Sequence, residues 1–138
     1  MGAEIDAAAL RATVERMLAN REAGLKAAGL TILAASQQEI HDGGQGWAPF
    51  KKLPKSPHQL LWESGTLIQS LALGGPGNVF EIDGGSVKTG TNVAYAAAQN
   101  YGYEPHDLPA RPFLFVDDKR QEQAEKAYVN ALLAGVTR

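Results

Sequence analysis

The hydrophobic pattern of residues 6–41 predicts a long N-terminal helix. Asp6 is a suitable N-cap residue at its start. Gly24 and Gly29 each lower helix stability by about 1 kcal/mol relative to alanine, so we expect a kink or a break near residues 24–30. The sequence "DGGQG" from Asp42 onward ends the helix. The apolar residues that recur at helical spacing, and that we expect on one face, are Leu10, Val14, Met17, Leu25, Ala28 and Ile32.

Residues 42–60, "DGGQGWAPFKKLPKSPHQL", show no hydrophobic periodicity and are predicted to form a long loop. A loop of this length in a compact domain is usually functional or disordered. Trp47 and Phe50 are large apolar side chains in this otherwise polar segment. They either fix the loop to the core or act as anchors that contact a partner, and the pattern leaves both interpretations open.

A strand hairpin is predicted in the middle of the chain. The segment "LLWESGTLIQSLAL" at 60–73 suggests a short helix that turns into a strand. The segments "VFEID" and "SVKTGT" follow as two strands, joined by a turn at the glycine pair 84–85. The alanine-rich "NVAYAAAQNYG" then predicts a short helix that Gly102 terminates.

The C-terminal third is predicted to contain a loop, an extended segment and a final helix. After the loop "YEPHDLPAR", the apolar run "PFLFV" predicts a buried strand or an extended segment. Asp117 or Asp118 then caps the final helix, which Gly135 ends. With helices at the ends and strands in the middle, the order predicts an α+β fold: an antiparallel sheet flanked by a long N-terminal, a short middle and a C-terminal helix. The residues of the final helix expected to face inward are Ala124, Ala127, Tyr128, Ala131 and Leu132.

Length and composition narrow the class of protein. A chain of 138 residues predicts one domain spanning residues 1–138. The net charge of −2 gives no reason to expect nucleic acid or an anionic membrane as the partner, and no apolar run reaches the roughly 18 residues of a membrane span. The N-terminal segment carries acids and an arginine, which is not the pattern of a signal peptide. The absence of cysteine excludes disulfides and a cysteine nucleophile and suits synthesis in a cytoplasm.

The sequence contains no convincing catalytic motif. In "GGSVKTG", Lys88 precedes the last glycine, whereas a phosphate-binding P-loop needs the lysine after it. His41, His58 and His106 are scattered over a helix end and two loops and lack the spacing of metal ligands. The segment "ESGTL" is not the G-x-S-x-G motif of a serine nucleophile. We therefore predict no catalytic residue, metal or cofactor, and a protein that is not an enzyme.

Lys51, Lys52 and Lys55 form a small basic patch beside Trp47 and Phe50. Such a patch is either a solvated loop or a surface that contacts phosphates. Together with Arg111, these side chains are our candidates for a subunit or partner interface.

Arg111 lies in "LPARP", where prolines on both sides stiffen the backbone. A guanidinium on a rigid segment suits a bidentate contact with a carboxylate. That carboxylate belongs either to the same fold or to a neighbouring subunit.

Four sequence blocks together resemble the virion-morphogenesis, or tail-completion, family of Mu-like tailed phages. The blocks are "GQGWAPF", "LLWESGTLIQSLAL", "VKTGTNVAYAAAQNYG" and "LPARPFLFVDD", in that order and before a closing helix. The resemblance runs from about Gly44 to the C-terminus, roughly two-thirds of the chain. One departure is Gln99, which stands where family members often carry a histidine or an acid.

The resemblance implies a structural protein of the virion neck. Such a protein acts at the head-proximal end of a finished tail, completes or terminates it, and enables it to join the DNA-filled head. It is expected to be α+β, to form a ring that is commonly hexameric, and to contact the tail tube protein and the head-tail connector or neck proteins. DNA would only pass through the ring lumen, no membrane is involved, and assembly takes place in the cytoplasm of the bacterial host.

Three other functions stay open at this stage. A head-side closure or adaptor ring would use a similar fold. A small DNA-binding adaptor is disfavoured by the acidic net charge, and a small hydrolase would need a converging polar pocket.

Overall fold

The computed structural model describes residues 1–44, 47 and 65–136. Over these residues the chain has the predicted α+β composition, with helices around one antiparallel strand pair. The helices and strands are α1 (Ala7–Ala19), α2 (Arg21–His41), α3 (Thr66–Ser70), β1 (Asn78–Asp83), β2 (Ser86–Thr91), α4 (Ala96–Tyr101), a 3-10 helix (Glu104–His106) and α5 (Asp118–Leu132).

The N-terminal helix is broken at Asn20, between α1 and α2. The Asn20 Nδ2 atom donates to the carbonyl oxygens of Leu132 at 3.0 Å and Ala134 at 2.8 Å, which lie at the end of α5. The predicted cap is confirmed, because the Asp6 side chain accepts from the backbone N–H groups of Ala8 and Ala9. The expected break near residues 24–30 is wrong, because the long-range hydrogen bonds of Asn20 set the junction instead.

Gly24 and Gly29 lie buried inside α2, where the chain is helical throughout. A Cβ atom at Gly24 would lie 2.8 Å from the Tyr128 ring of α5, and one at Gly29 would lie 2.8 Å from both Phe80 and Val87 of the hairpin. These glycines therefore let α5 and the hairpin approach the helix axis closely. This packing offsets the unfavourable helix propensity of glycine.

The predicted hairpin is confirmed. Strand β1 pairs with β2 in antiparallel register, and Asp83 faces Ser86 across a two-residue turn. Gly84 takes the left-handed backbone conformation that this turn needs, with φ of 53°. No further strand joins the sheet within the described residues.

The segment after α3 is a turn, so the predicted strand at its end is wrong. The hydroxyl and carbonyl groups of the buried Ser70 hold this turn in place. Its hydroxyl lies 2.6 Å from Thr91 Oγ1 and its carbonyl accepts from Asn78 Nδ2 at 2.9 Å. The chain therefore reverses directly from α3 into the hairpin.

The core lies between α2, α3, α4 and the segment before α5. Trp47, Phe80 and Leu114 pack against it from the outside while partly exposed. The buried apolar residues of the core cluster are Leu33, Ile40, Leu67, Leu71, Ala96 and Phe113.

Helix α5 packs along α2 with its predicted inner face half-buried. Asp117 is its N-cap and accepts from the N–H of Arg120 at 2.8 Å. The helix ends at Leu132, and Gly135, with φ of 74°, lies in the turn that follows.

Helix α1 does not follow the single-face expectation, because none of its residues is buried. Leu10 and Val14 are exposed, whereas Ile32 on α2 is buried. The predicted apolar face is therefore buried or half-buried in α2. Helix α1 contributes no buried residue, and it joins α2 at Asn20.

Candidate functional site

Residues 112–116, "PFLFV", belong to no helix or strand, and the chain bends at Leu114. Their backbone is held by the side chain of Asn100 on α4. The Asn100 Oδ1 atom accepts from the N–H groups of Phe113 at 2.9 Å and Leu114 at 3.0 Å, and its Nδ2 atom donates to the Leu114 carbonyl at 3.2 Å. The segment is therefore neither the predicted strand nor a straight extended segment, because it pairs with no described strand and bends at Leu114.

Arg120 holds the same segment from the opposite side. Its Nη1 atom donates to the carbonyl oxygens of Phe113 and Phe115, each at 3.0 Å, and to the Ser36 hydroxyl at 3.2 Å. The guanidinium also lies 3.7 Å from the centroid of the Phe115 ring. Arg120 therefore connects α5, residues 113–115 and α2.

The buried guanidinium of Arg120 remains close to acidic groups. Burial lowers the pKa of Arg120, whereas the charges of Glu39 and Asp117 raise it. The nearest Glu39 carboxylate oxygen is 3.9 Å from Nη2. Because several carbonyl groups and a carboxylate surround the cation, its positive charge is compensated inside the fold.

Arg111, a predicted interface residue, is enclosed by the fold with 1% of its surface exposed. Its backbone N–H donates to the Gln99 carbonyl at 2.8 Å, and burial lowers the pKa of its guanidinium. This burial favours the interpretation in which Arg111 acts within its own fold rather than on a neighbouring subunit.

Trp47 lies against the same region. Its Nε1 atom donates to the Pro112 carbonyl at 3.2 Å, and its ring packs on the core cluster. For Trp47, the structure therefore favours attachment of the loop to the core over an exposed anchor. The remaining predicted interface residues, which lie outside the described residues, are Phe50, Lys51, Lys52 and Lys55.

Residues at the end of α2 line a polar depression together with residues around the start of α5. The exposed His41 Nδ1 lies 3.2 Å from Asp42 Oδ1. Hydrogen bonds with Gln38 and with His41 lower the pKa of Asp42. Over residues 1–44, 47 and 65–136, no group of three or more histidine, aspartate or glutamate side chains is placed to hold a metal ion.

No helix among the described residues has the length and apolar character needed to cross a membrane.

An apolar groove of about 790 Å³ lies between α2, β2 and α5, and we call it the α2–β2–α5 groove. Gly29, which lies close to Phe80 and Val87 of the hairpin, is among its lining residues. Val116 and Val129 at its edge are 58% and 46% exposed. The apolar residues that line it include Ala28, Ile32, Val87, Leu114, Val116 and Val129.

A second apolar surface lies on α1. Leu10, Val14 and Leu18, which we call the α1 stripe, are 58%, 47% and 62% exposed. Their spacing of four residues places them along one face of the helix. Large apolar residues that are exposed as a group mark sites of protein contact.

The sequence reasoning missed Asn100, Arg120 and the groove. Arg120 did carry a local signal, because a cation in the first turn of a helix opposes the helix dipole and needs other contacts to compensate. The sequence signal at Asn100 was weaker: asparagine is a poor helix former, and it stands in an alanine-rich helix. The groove had no sequence signal, because its walls come from four segments of the chain: α2, β2, residues 114–116 and α5.

Comparison of this chain with protein-family models, with curated proteins and with solved structures finds no match in any of the three.

Proposed function

We propose that the protein is a structural subunit of a tailed-phage neck, where it completes or terminates the tail and enables head-tail joining as a ring. Six subunits is the expected number. The tail tube protein and the head-tail connector are the proposed neighbours, and DNA passes only through the lumen. The protein is proposed to act in the virion after assembly in the bacterial cytoplasm, without catalysis.

The observation that carries this proposal is the order of the four family-like sequence blocks. Two of them, "VKTGTNVAYAAAQNYG" and "LPARPFLFVDD", are adjacent in space, since Asn100 of the first holds Phe113 and Leu114 of the second. These two blocks are therefore joined by hydrogen bonds into one unit rather than forming separate loops. A rigid frame of this kind suits a subunit that must keep its shape under the load of a packaged head.

The exposed apolar surfaces also support a role in assembly. The α1 stripe and the edge of the α2–β2–α5 groove are exposed in the single chain. A ring subunit needs two different surfaces of this kind, one for each neighbour.

A head-side closure or adaptor ring is the second candidate, because the same frame and the same apolar surfaces would serve it equally. The two positions differ in what accumulates when the protein is missing. Abnormal tail ends or tail lengths point to the tail side, whereas normal tails with open or leaking heads point to the head side.

The test is electron microscopy of lysates from a phage or prophage that encodes this chain, with its gene deleted. We expect full heads and separate tails to accumulate, and plasmid-borne expression of the chain to restore joined particles. A deletion strain that still yields normal infectious particles contradicts the proposal.

A further inference from the structure

We propose that the α1 stripe of one copy docks into the α2–β2–α5 groove of a second copy of this chain. The inference rests on the proposed function only for its biological setting. The contact itself is derived from two surfaces of the described chain. The occupant is therefore a second copy, and the contact is head-to-tail.

Helix α1 has an apolar face that is largely exposed among the described residues. Arg16 Nη1 donates to the Gly135 carbonyl at 2.9 Å, and Asn20 binds the end of α5 beside it. These bonds fix α1 to the domain through its C-terminal end. The α1 stripe is left largely exposed, since no residue of α1 is buried.

The α1 stripe cannot fill the groove of its own chain while these bonds hold. The groove is lined on α5 by residues between Gln121 and Val129, whereas α1 is attached at and beyond the C-terminal end of α5, at Leu132 and Gly135. No α1 residue lines the groove. An intramolecular contact would require the bonds of Arg16 and Asn20 to break.

The lengths of the two surfaces agree. Leu10 to Leu18 covers eight helical steps, or about 12 Å at 1.5 Å per residue. The groove wall from Gln121 to Val129 on α5 covers the same about 12 Å. About two turns of α1 therefore match the length of this wall.

The charges beside the two surfaces are also complementary. Arg11 and Glu15 lie one turn apart beside the α1 stripe. The groove has Lys88 on its β2 wall and Glu125 on its α5 wall, both exposed. Each charge beside the stripe thus has an opposite charge in the groove, which favours docking of this helix over docking of an uncharged one.

A contact between two different surfaces repeats from copy to copy. It closes into a ring if the rotation between neighbours permits, and otherwise forms an open filament. This geometry supplies one of the interfaces that a ring-forming neck protein needs.

The experiment is sedimentation velocity on the purified full chain over a wide concentration range, with two variants. Val14→Glu places a charge in the α1 stripe, and Val129→Glu places one at the groove edge. We expect the parent to associate reversibly above its 14.7 kDa monomer mass. Each variant should weaken association at least tenfold, because a buried unpaired carboxylate is costly.

Matched controls carry the same substitution on exposed positions outside the two surfaces. Ala12→Glu lies on another face of α1, and Asn130→Glu is the neighbour of Val129 on α5. Both controls should associate within twofold of the parent. Circular dichroism of every variant confirms that the helices are intact.

Mixing the two variants gives the decisive result. The Val14→Glu chain keeps an intact groove, and the Val129→Glu chain keeps an intact α1 stripe, so a 1:1 mixture should form a two-chain complex and nothing larger. A monomeric parent, a Val129→Glu variant that associates like the parent, or a mixture without a complex would each overturn the inference. These outcomes leave the deletion experiment unaffected, so failure of this contact and failure of the neck function are distinguishable.

Discussion

The side chain of Asn100 hydrogen-bonds both backbone polar atoms of Leu114, accepting from its N–H at 3.0 Å and donating to its carbonyl at 3.2 Å. An asparagine amide has the same donor and acceptor as a peptide group. Asn100 therefore satisfies both backbone groups of Leu114 without a neighbouring strand.

Replacement of Asn100 by an apolar residue should destabilise the fold, because an apolar side chain cannot make its three hydrogen bonds. In the Asn100→Leu variant, the N–H groups of Phe113 and Leu114 lose their acceptor. Each buried unsatisfied group costs about 1–3 kcal/mol, so we expect the free energy of unfolding to fall by about 2–4 kcal/mol. Urea unfolding measures this loss. The matched control Asn130→Leu, at an exposed position of α5, should change stability by less than about 0.5 kcal/mol.

Alanine at Gly24 should destabilise the protein although alanine is the better helix former. Helix propensity alone predicts a gain of about 1 kcal/mol. The added Cβ would instead lie 2.8 Å from the Tyr128 ring and 3.3 Å from the Tyr128 carbonyl, and overpacking typically costs about 1–3 kcal/mol. Thermal unfolding of Gly24→Ala should therefore show a net loss.

A double-mutant cycle separates these two effects. In the Tyr128→Ala background the ring is gone, so the Gly24→Ala substitution should cost less than in the parent or become stabilising. An equal cost in both backgrounds would show that Tyr128 is not the reason for glycine at this position.

Arg120 should not be replaceable by lysine. Its two terminal nitrogens donate to Phe113, Phe115, Ser36 and the Ala35 carbonyl. A single ammonium cannot reproduce this planar fork, so Arg120→Lys and Arg120→Met should each lose about 2–4 kcal/mol. Chemical unfolding followed by circular dichroism measures both, and a lysine variant as stable as the parent would contradict the role of the fork.

The effect of Arg111→Ala should appear in folding stability rather than in assembly. The side chain is 1% exposed, and its removal leaves a cavity, for which we expect a loss of about 2–4 kcal/mol. Lys26→Ala, at an exposed position of α2, is the matched control for stability and should change it by less than about 0.5 kcal/mol. A folded Arg111→Ala variant of parental stability that fails to associate would instead assign Arg111 to a subunit contact.

The features that the sequence predicted correctly are local. Asp6 and Asp117 cap their helices, and Gly84 forms the hairpin turn, because each depends on backbone groups only a few residues away. Gly102 ends α4 with φ of 83° for the same reason. The α+β order follows from these short-range signals together with hydrophobic periodicity.

Contacts between distant segments decided the rest. From the sequence alone, Gly24 predicts a weak point in the helix. In the structure it allows close packing against Tyr128, which lies 104 positions further along the chain. Asn20 interrupts the N-terminal helix because the end of α5 supplies its acceptors. Composition and spacing thus determined the helices, the turn and the fold class. Only the tertiary structure decided where the long helix breaks, why "PFLFV" needs no partner strand, and which apolar faces stay exposed, because each depends on side chains that meet only after folding.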